Sequence, residues 1–77
     1  MGDNNNETSL VNSVPVWEKY TLNVEEAASY YGIGIKKLYD IIHTHQGADF
    51  ILEIGSHSRI KRKLFERFLD DVTALRF

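Results

Sequence analysis

The sequence predicts an α+β fold class, three helices with a two-stranded hairpin, and three observations lead to it. Two short stretches with helical apolar spacing are separated by Gly32-Ile33-Gly34. A run beginning at Phe50 then alternates apolar and polar residues around Gly55, and from Lys63 the spacing of apolar residues becomes helical again.

The elements follow in chain order. Residues 1–14 are polar and Asn-rich, with only Leu10 and Val11 as an apolar pair, and such a stretch buries too little surface to offset its ordering entropy. It is expected to be a flexible tail ahead of one domain spanning 15–77. Pro15 closes the tail, and Val16–Leu22 reads as a short N-terminal edge strand with Trp17 as a core anchor. Asn23 stands three residues before Glu26, and acidic residues fill the first turn, so a helix starts at Val24. Val24, Ala27, Ala28 and Tyr31 give it an apolar face, and Gly32 stops it after Tyr31.

A second helix is expected from Ile35 to about His45, with Leu38, Ile41, Ile42 and His45 on one face. Gln46-Gly47-Ala48-Asp49 breaks it. Phe50, Leu52 and Ile54 are then expected to share the inner face of a strand, and Gly55-Ser56-His57-Ser58 to form the hairpin loop. Arg59–Arg62 returns with Ile60 inward. Leu64, Phe65, Phe68, Leu69, Val72 and Leu75 form a helical stripe, which predicts a third helix from Lys63 to about Arg76. Two helices joined by a tight Gly-containing turn, followed by a basic hairpin, are the sequence form of a winged helix-turn-helix.

Composition narrows the function. Seventy-seven residues fall well short of the ~150 usual for a domain, so a second core and an interdomain cleft are excluded. The chain has no cysteine, which excludes disulfides, thiolate metal sites and a thiol nucleophile, and suits a reducing cytoplasm. No apolar run approaches the roughly 18 residues that span a bilayer, and the N-terminus lacks a basic stretch followed by an apolar one, so neither membrane nor export is expected.

The net charge of −2 by itself argues against nucleic acid. Its distribution argues the other way. Between Ile33 and Lys63, Lys36, Lys37, Arg59, Lys61, Arg62 and Lys63 stand against Asp40, Asp49 and Glu53, a balance of +3 that leaves −5 elsewhere. Lys36 and Lys37 occupy the first turn of the second helix, where the dipole disfavours cations, on its polar side with Asp40, His43 and Thr44. In a helix-turn-helix that half of the second helix meets base edges in the major groove. The alternative is a solvated face. Arg59, Lys61, Arg62 and Lys63 are the densest basic cluster, and with His57 at the loop they are placed to straddle a phosphate backbone or enter the minor groove. Their alternative use is to guard a strand edge against aggregation.

Catalytic and metal chemistry are not expected. His43 and His45, two apart on a helix, point to different faces and no carboxylate is spaced to join both; the expected metal and cofactor content is none. His45 is expected to be a satisfied, partly buried residue. No Ser-His-Asp context and no phosphate-binding glycine fingerprint is present, so the chain is not read as an enzyme. Leu75 and Phe77 are candidates for contact with a partner protein.

The run Val16-Trp17-Glu18-Lys19-Tyr20-Thr21-Leu22-Asn23-Val24-Glu25-Glu26-Ala27-Ala28, the turn Gly32-Ile33-Gly34 with Lys37-Leu38-Tyr39, and Arg59-Ile60-Lys61-Arg62-Lys63 with Phe65-Glu66 resemble the excisionases of conjugative transposons. More loosely the chain is similar to the wider excisionase and MerR-like winged helix-turn-helix group. The resemblance covers about Pro15 to Leu69 and implies a non-enzymatic recombination directionality factor. Such a protein binds duplex DNA near the ends of a mobile element, bends it, and assists a tyrosine recombinase (integrase) in excision. It implies major-groove contact by Lys36, Lys37, Tyr39 and Asp40, and wing contact by His57, Arg59 and Lys61. Asp40 stands where the group often has a basic residue; it can accept from a cytosine amino group. So small a reader specifies few base pairs, which suits cooperative monomers on repeated sites. A phage- or plasmid-type regulator of the same fold, and a protein-interaction module, are the other readings.

Overall fold

The computed structural model describes residues 14–74. The expected tail, except Val14, and the C-terminal Leu75 and Phe77 therefore lie outside the described residues. After a single 3-10 turn, Val16–Glu18, the elements are β1 (Thr21–Leu22), α1 (Val24–Tyr31), α2 (Ile35–Thr44), β2 (Ile51–Ile54), β3 (His57–Lys61) and α3 (Arg62–Asp70). The strands form one antiparallel sheet in the order β1-β3-β2. The fold is a winged helix-turn-helix: α1 and α2 are the helix pair, β2 and β3 the wing.

Helix α1 forms where its start signal is complete. Asn23 Oδ1 accepts from the Glu26 amide at 2.7 Å while Glu26 Oε1 accepts from the Asn23 amide at 3.0 Å, a reciprocal cap. Gly32 ends it at φ +69, a left-handed conformation that glycine adopts without a Cβ clash. The chain then turns within two residues into α2, whose N-cap Gly34 supplies no side-chain oxygen.

The core is apolar throughout among the described residues. Leu22, Ala27, Leu38, Ile41, Ile60 and Phe65 are fully buried, and Val24, Ala28, Ile42 and Phe50 nearly so. An aromatic cluster closes its lower side: Phe50 packs against Phe65 and Phe68 with centroids 5.1 and 4.9 Å away, and Tyr31 meets Phe65 at 5.2 Å. His45 lies edge-on to Phe68 and bonds through Nδ1 to the Ile41 carbonyl, the satisfied, half-buried histidine that the sequence predicts. Burial and a hydrogen bond to Glu66 push the Tyr31 hydroxyl well above the usual phenol range, so it stays a neutral donor.

Four expectations need correction. Residues 16–18 form a 3-10 turn, leaving only Thr21–Leu22 as strand, and the turn carries Trp17 outward to 61% exposure instead of into the core. The hairpin loop is the pair Gly55-Ser56, with Gly55 at φ +60, so His57 and Ser58 belong to the strand. The inner face of the hairpin is one residue out of the expected phase. Phe50 enters the core from the turn before β2, Ile51 is the residue opposite Ile60, and Ile54 is exposed. The third helix starts one residue early, at Arg62, and ends at Asp70, before Val72.

Beside the cap, Lys19 Nζ hydrogen-bonds and ion-pairs with Glu26 Oε2. Burial alone would raise the Glu26 pKa; the Lys19 ammonium, the Asn23 amide and the nearby Arg59 outweigh it, and the carboxyl is held below its ordinary value. A carboxyl depressed in the folded state stabilises the fold above its unfolded pKa, and that contribution is lost as pH falls through the folded value. Wild type is expected to lose urea-midpoint stability more steeply than Glu26→Gln between pH 6 and about pH 3, glutamine preserving the cap geometry without the titration. Phe65→Ala, which empties the centre of the aromatic cluster, is expected to cost about 3–5 kcal/mol, read as loss of the cooperative thermal transition in circular dichroism.

Candidate nucleic-acid interface

The two elements that sequence assigns to one surface meet in one groove. Tyr39 of α2 and Ile54, Ser56, His57, Ser58 and Arg59 of the wing line it, and Asn23, Val24 and Glu25 at the start of α1 complete the lining. The reciprocal cap fixes where α1 begins, and the two-residue hairpin turn fixes how far the wing projects.

On α2, residues 36, 39, 40 and 43 lie at helical i, i+3, i+4 and i+7 positions, and Leu38, Ile41 and Ile42 hold the opposite face in the core. Lys36, Tyr39, His43 and Thr44 are exposed; Lys37 and Asp40 are half-buried. Ile35 is also exposed, at 44%. With no capping side chain and no acidic residue in its first turn, α2 presents its positive dipole end together with two lysines. Both features favour a bound anion.

The basic residues from Arg59 to Lys63 differ in their partners and exposure. In β3 Ile60 faces the core, so its neighbours Arg59 and Lys61 face the other way. Arg59 is tied down: Nε donates to Thr21 Oγ1 at 2.9 Å and Nη2 to the Thr21 carbonyl at 3.3 Å. Lys61 pairs with Thr21 across the strands and is half-buried. His57 and Lys63 are exposed. Arg62 is not brought to this surface. Its side chain is 12% exposed, and its guanidinium joins the Lys19 carbonyl at 2.9 Å to Glu66 Oε2 at 3.2 Å, the carboxylate that also accepts from Tyr31. It is a clamp between the N-terminal segment, α1 and α3.

Ile54 is a groove residue that sequence reasoning missed. It sits opposite His57 at the last pair before the turn and is 52% exposed. The signal was present: Gly55-Ser56 separates two strand-like runs by two residues, which sets the hairpin's phase. No group of three or more His, Asp or Glu side chains that could hold a metal occurs among the described residues, and no helix there is long and apolar enough to cross a membrane.

A family model described as the excisionase from transposon Tn916 matches residues 5–75. The chain belongs to the Tn916 excisionase family. A curated relative, the excisionase from transposon Tn916 of Streptococcus agalactiae serotype V, is 39% identical over 62 residues, covering 80% of this chain and 92% of the relative. Of the readings that sequence leaves open, family membership supports the recombination-related one, an excision factor of a conjugative transposon.

The separation of clamp from surface predicts different effects for adjacent basic residues. Arg62→Ala is expected to cost about 1.5–3 kcal/mol in denaturant unfolding, since it strips a partner from a half-buried carboxylate and a carbonyl. Lys63→Ala, exposed and without a bond of that kind, is expected to stay within about 0.5 kcal/mol of wild type.

Proposed function

We propose that this excisionase family member binds duplex DNA near the ends of its element, bends it, and assists a tyrosine recombinase in excision, without itself catalysing a step. The observation that carries the reading is the shared groove lined by Tyr39 of α2 and by Ile54, His57 and Arg59 of the wing, with Lys36 one helical turn from Tyr39 on the same face of α2. Helix α2 enters the major groove with Lys36, Lys37, Tyr39 and Asp40 toward base edges, and His43 and Thr44 further along the same helix. The wing lies against the neighbouring backbone and minor groove through His57 and Lys61, with Lys63 following in the first turn of α3 and Arg59 holding the strand to β1 and adding positive potential.

Gripping adjacent grooves at once favours a bent duplex. Bending a site of this size costs about 1–6 kcal/mol, least at flexible pyrimidine–purine steps, so preference arises at base pairs that no side chain touches. The acidic remainder of the chain keeps non-specific affinity low. With one helix and one wing per chain, several copies act on repeated sites.

Two measurements test the reading. Four to six phosphates neutralised give log K against log salt a slope of about −3.5 to −5.5 with an element-end duplex. Lys36→Glu/Lys37→Glu is expected to weaken binding on the order of 100-fold at low salt and to flatten that slope. Equal affinity of wild type and variant refutes the reading. In a circularly permuted gel-shift series, mobility is expected to depend on site position; uniform mobility would refute bending alone.

A further inference from the structure

A second groove lies on the N-terminal side of the molecule, between the 3-10 turn and α1. Trp17 and Tyr30 stand in its lining with Val16, Glu25, Glu26 and Ser29. Trp17 is 61% exposed and Tyr30 42%. Leaving an indole and a phenol ring this open forgoes the burial that most aromatic side chains obtain in so small a core. Tyr30 lies edge-on to Tyr31 with ring centroids 5.0 Å apart, but neither Tyr30 nor Trp17 belongs to the buried core and the DNA-binding reading uses neither.

We propose that this groove docks a partner protein through a Lys or Arg side chain flanked by apolar residues, and, resting on the excision reading above, that the partner is the recombinase. Charge complementarity selects the occupant. Among the described residues the lining holds two carboxylates and no Lys or Arg, and α1, Val24–Tyr31, contains neither. Glu26 is already engaged by Lys19 and Asn23, which leaves Glu25 as the exposed carboxylate beside the rings. A carboxylate that lines one groove with a Trp and a Tyr ring suits a guanidinium or ammonium by ion pairing and by cation–π attraction. Residues 1–13 include Asp3 and Glu7 and no Lys or Arg, so their side chains supply no cation. A recombinase that handles phosphate backbones presents cations. Trp, Tyr and Arg are the residues that dominate protein interfaces.

The test uses the full chain and the purified recombinase of the same element. Trp17→Ala removes the larger ring. Ser29→Arg places a guanidinium inside the groove, one helical turn from Glu25, on an exposed position where arginine is a good helix former. Tyr20→Ala is the control, because Tyr20 is 75% exposed yet outside the lining. Anisotropy titrations are expected to show recombinase affinity at least tenfold weaker for Trp17→Ala and Ser29→Arg and unchanged for Tyr20→Ala. Duplex affinity of all three should stay within twofold of wild type. Recombinase affinity equal to wild type in both groove variants overturns the inference while leaving the excision reading intact. A wild-type protein that binds the duplex and not the recombinase overturns the recombinase reading and this inference together. A change confined to self-association in sedimentation assigns the groove to a second copy and likewise overturns it, as does recombinase affinity that rises when residues 1–13 are deleted.

Discussion

Everything on the basic surface depends on how one residue, Ile60, is held. It is fully buried and paired on both sides, with Leu22 of β1 and Ile51 of β2. A strand's side chains alternate, so fixing Ile60 inward commits Arg59 and Lys61 to the outer face; a slip of one residue would bury two cations and expose an isoleucine. The pairing with β1 also ties the wing to the segment that leads into α1. Wing and helix pair are thereby positioned by the same core, and the groove between Tyr39 and His57 is a consequence of it.

The chain divides its cations between holding that core and facing outward. Arg59 and Arg62 spend their guanidinium groups on Thr21, Lys19 and Glu66, joining parts of the chain up to 43 residues apart. Arginine's planar fork suits such multiple attachments. Lys36 and Lys63, single charges on flexible stems, stay exposed. The split of +3 against −5 in the sequence therefore overstates the outward charge of the wing, since Arg62 is consumed internally.

The helix pair was legible in the sequence because its signals are local: Asn23 and Glu26 cap one another, and Gly32 takes the left-handed turn. The resemblance to transposon excisionases rests on residues of the helix pair and its lead-in and on residues of β3 and the start of α3. What was misread depended on information that alternation and composition do not carry. Trp17 was expected inside because tryptophan is large and apolar, but a 3-10 turn sets its direction. Alternation counted from Phe50 predicts the wrong phase for the hairpin, because the turn ahead of β2 swings Phe50 into the core and Ile51 takes the place opposite Ile60. Which arginine serves the fold and which lysine serves the surface is a matter of partners distant in sequence, such as Lys19 and Glu66 for Arg62.

The central claim, that α2 and the wing form a single DNA-binding face, is tested most directly by a two-dimensional NMR titration of labelled protein with an element-end duplex. Amide shifts are predicted to concentrate in residues 35–44 and 54–59, with the outer face of α1 around Ser29 and the C-terminal half of α3 little changed. Shifts centred on α3 or on residues 16–18, with α2 unperturbed, would contradict it.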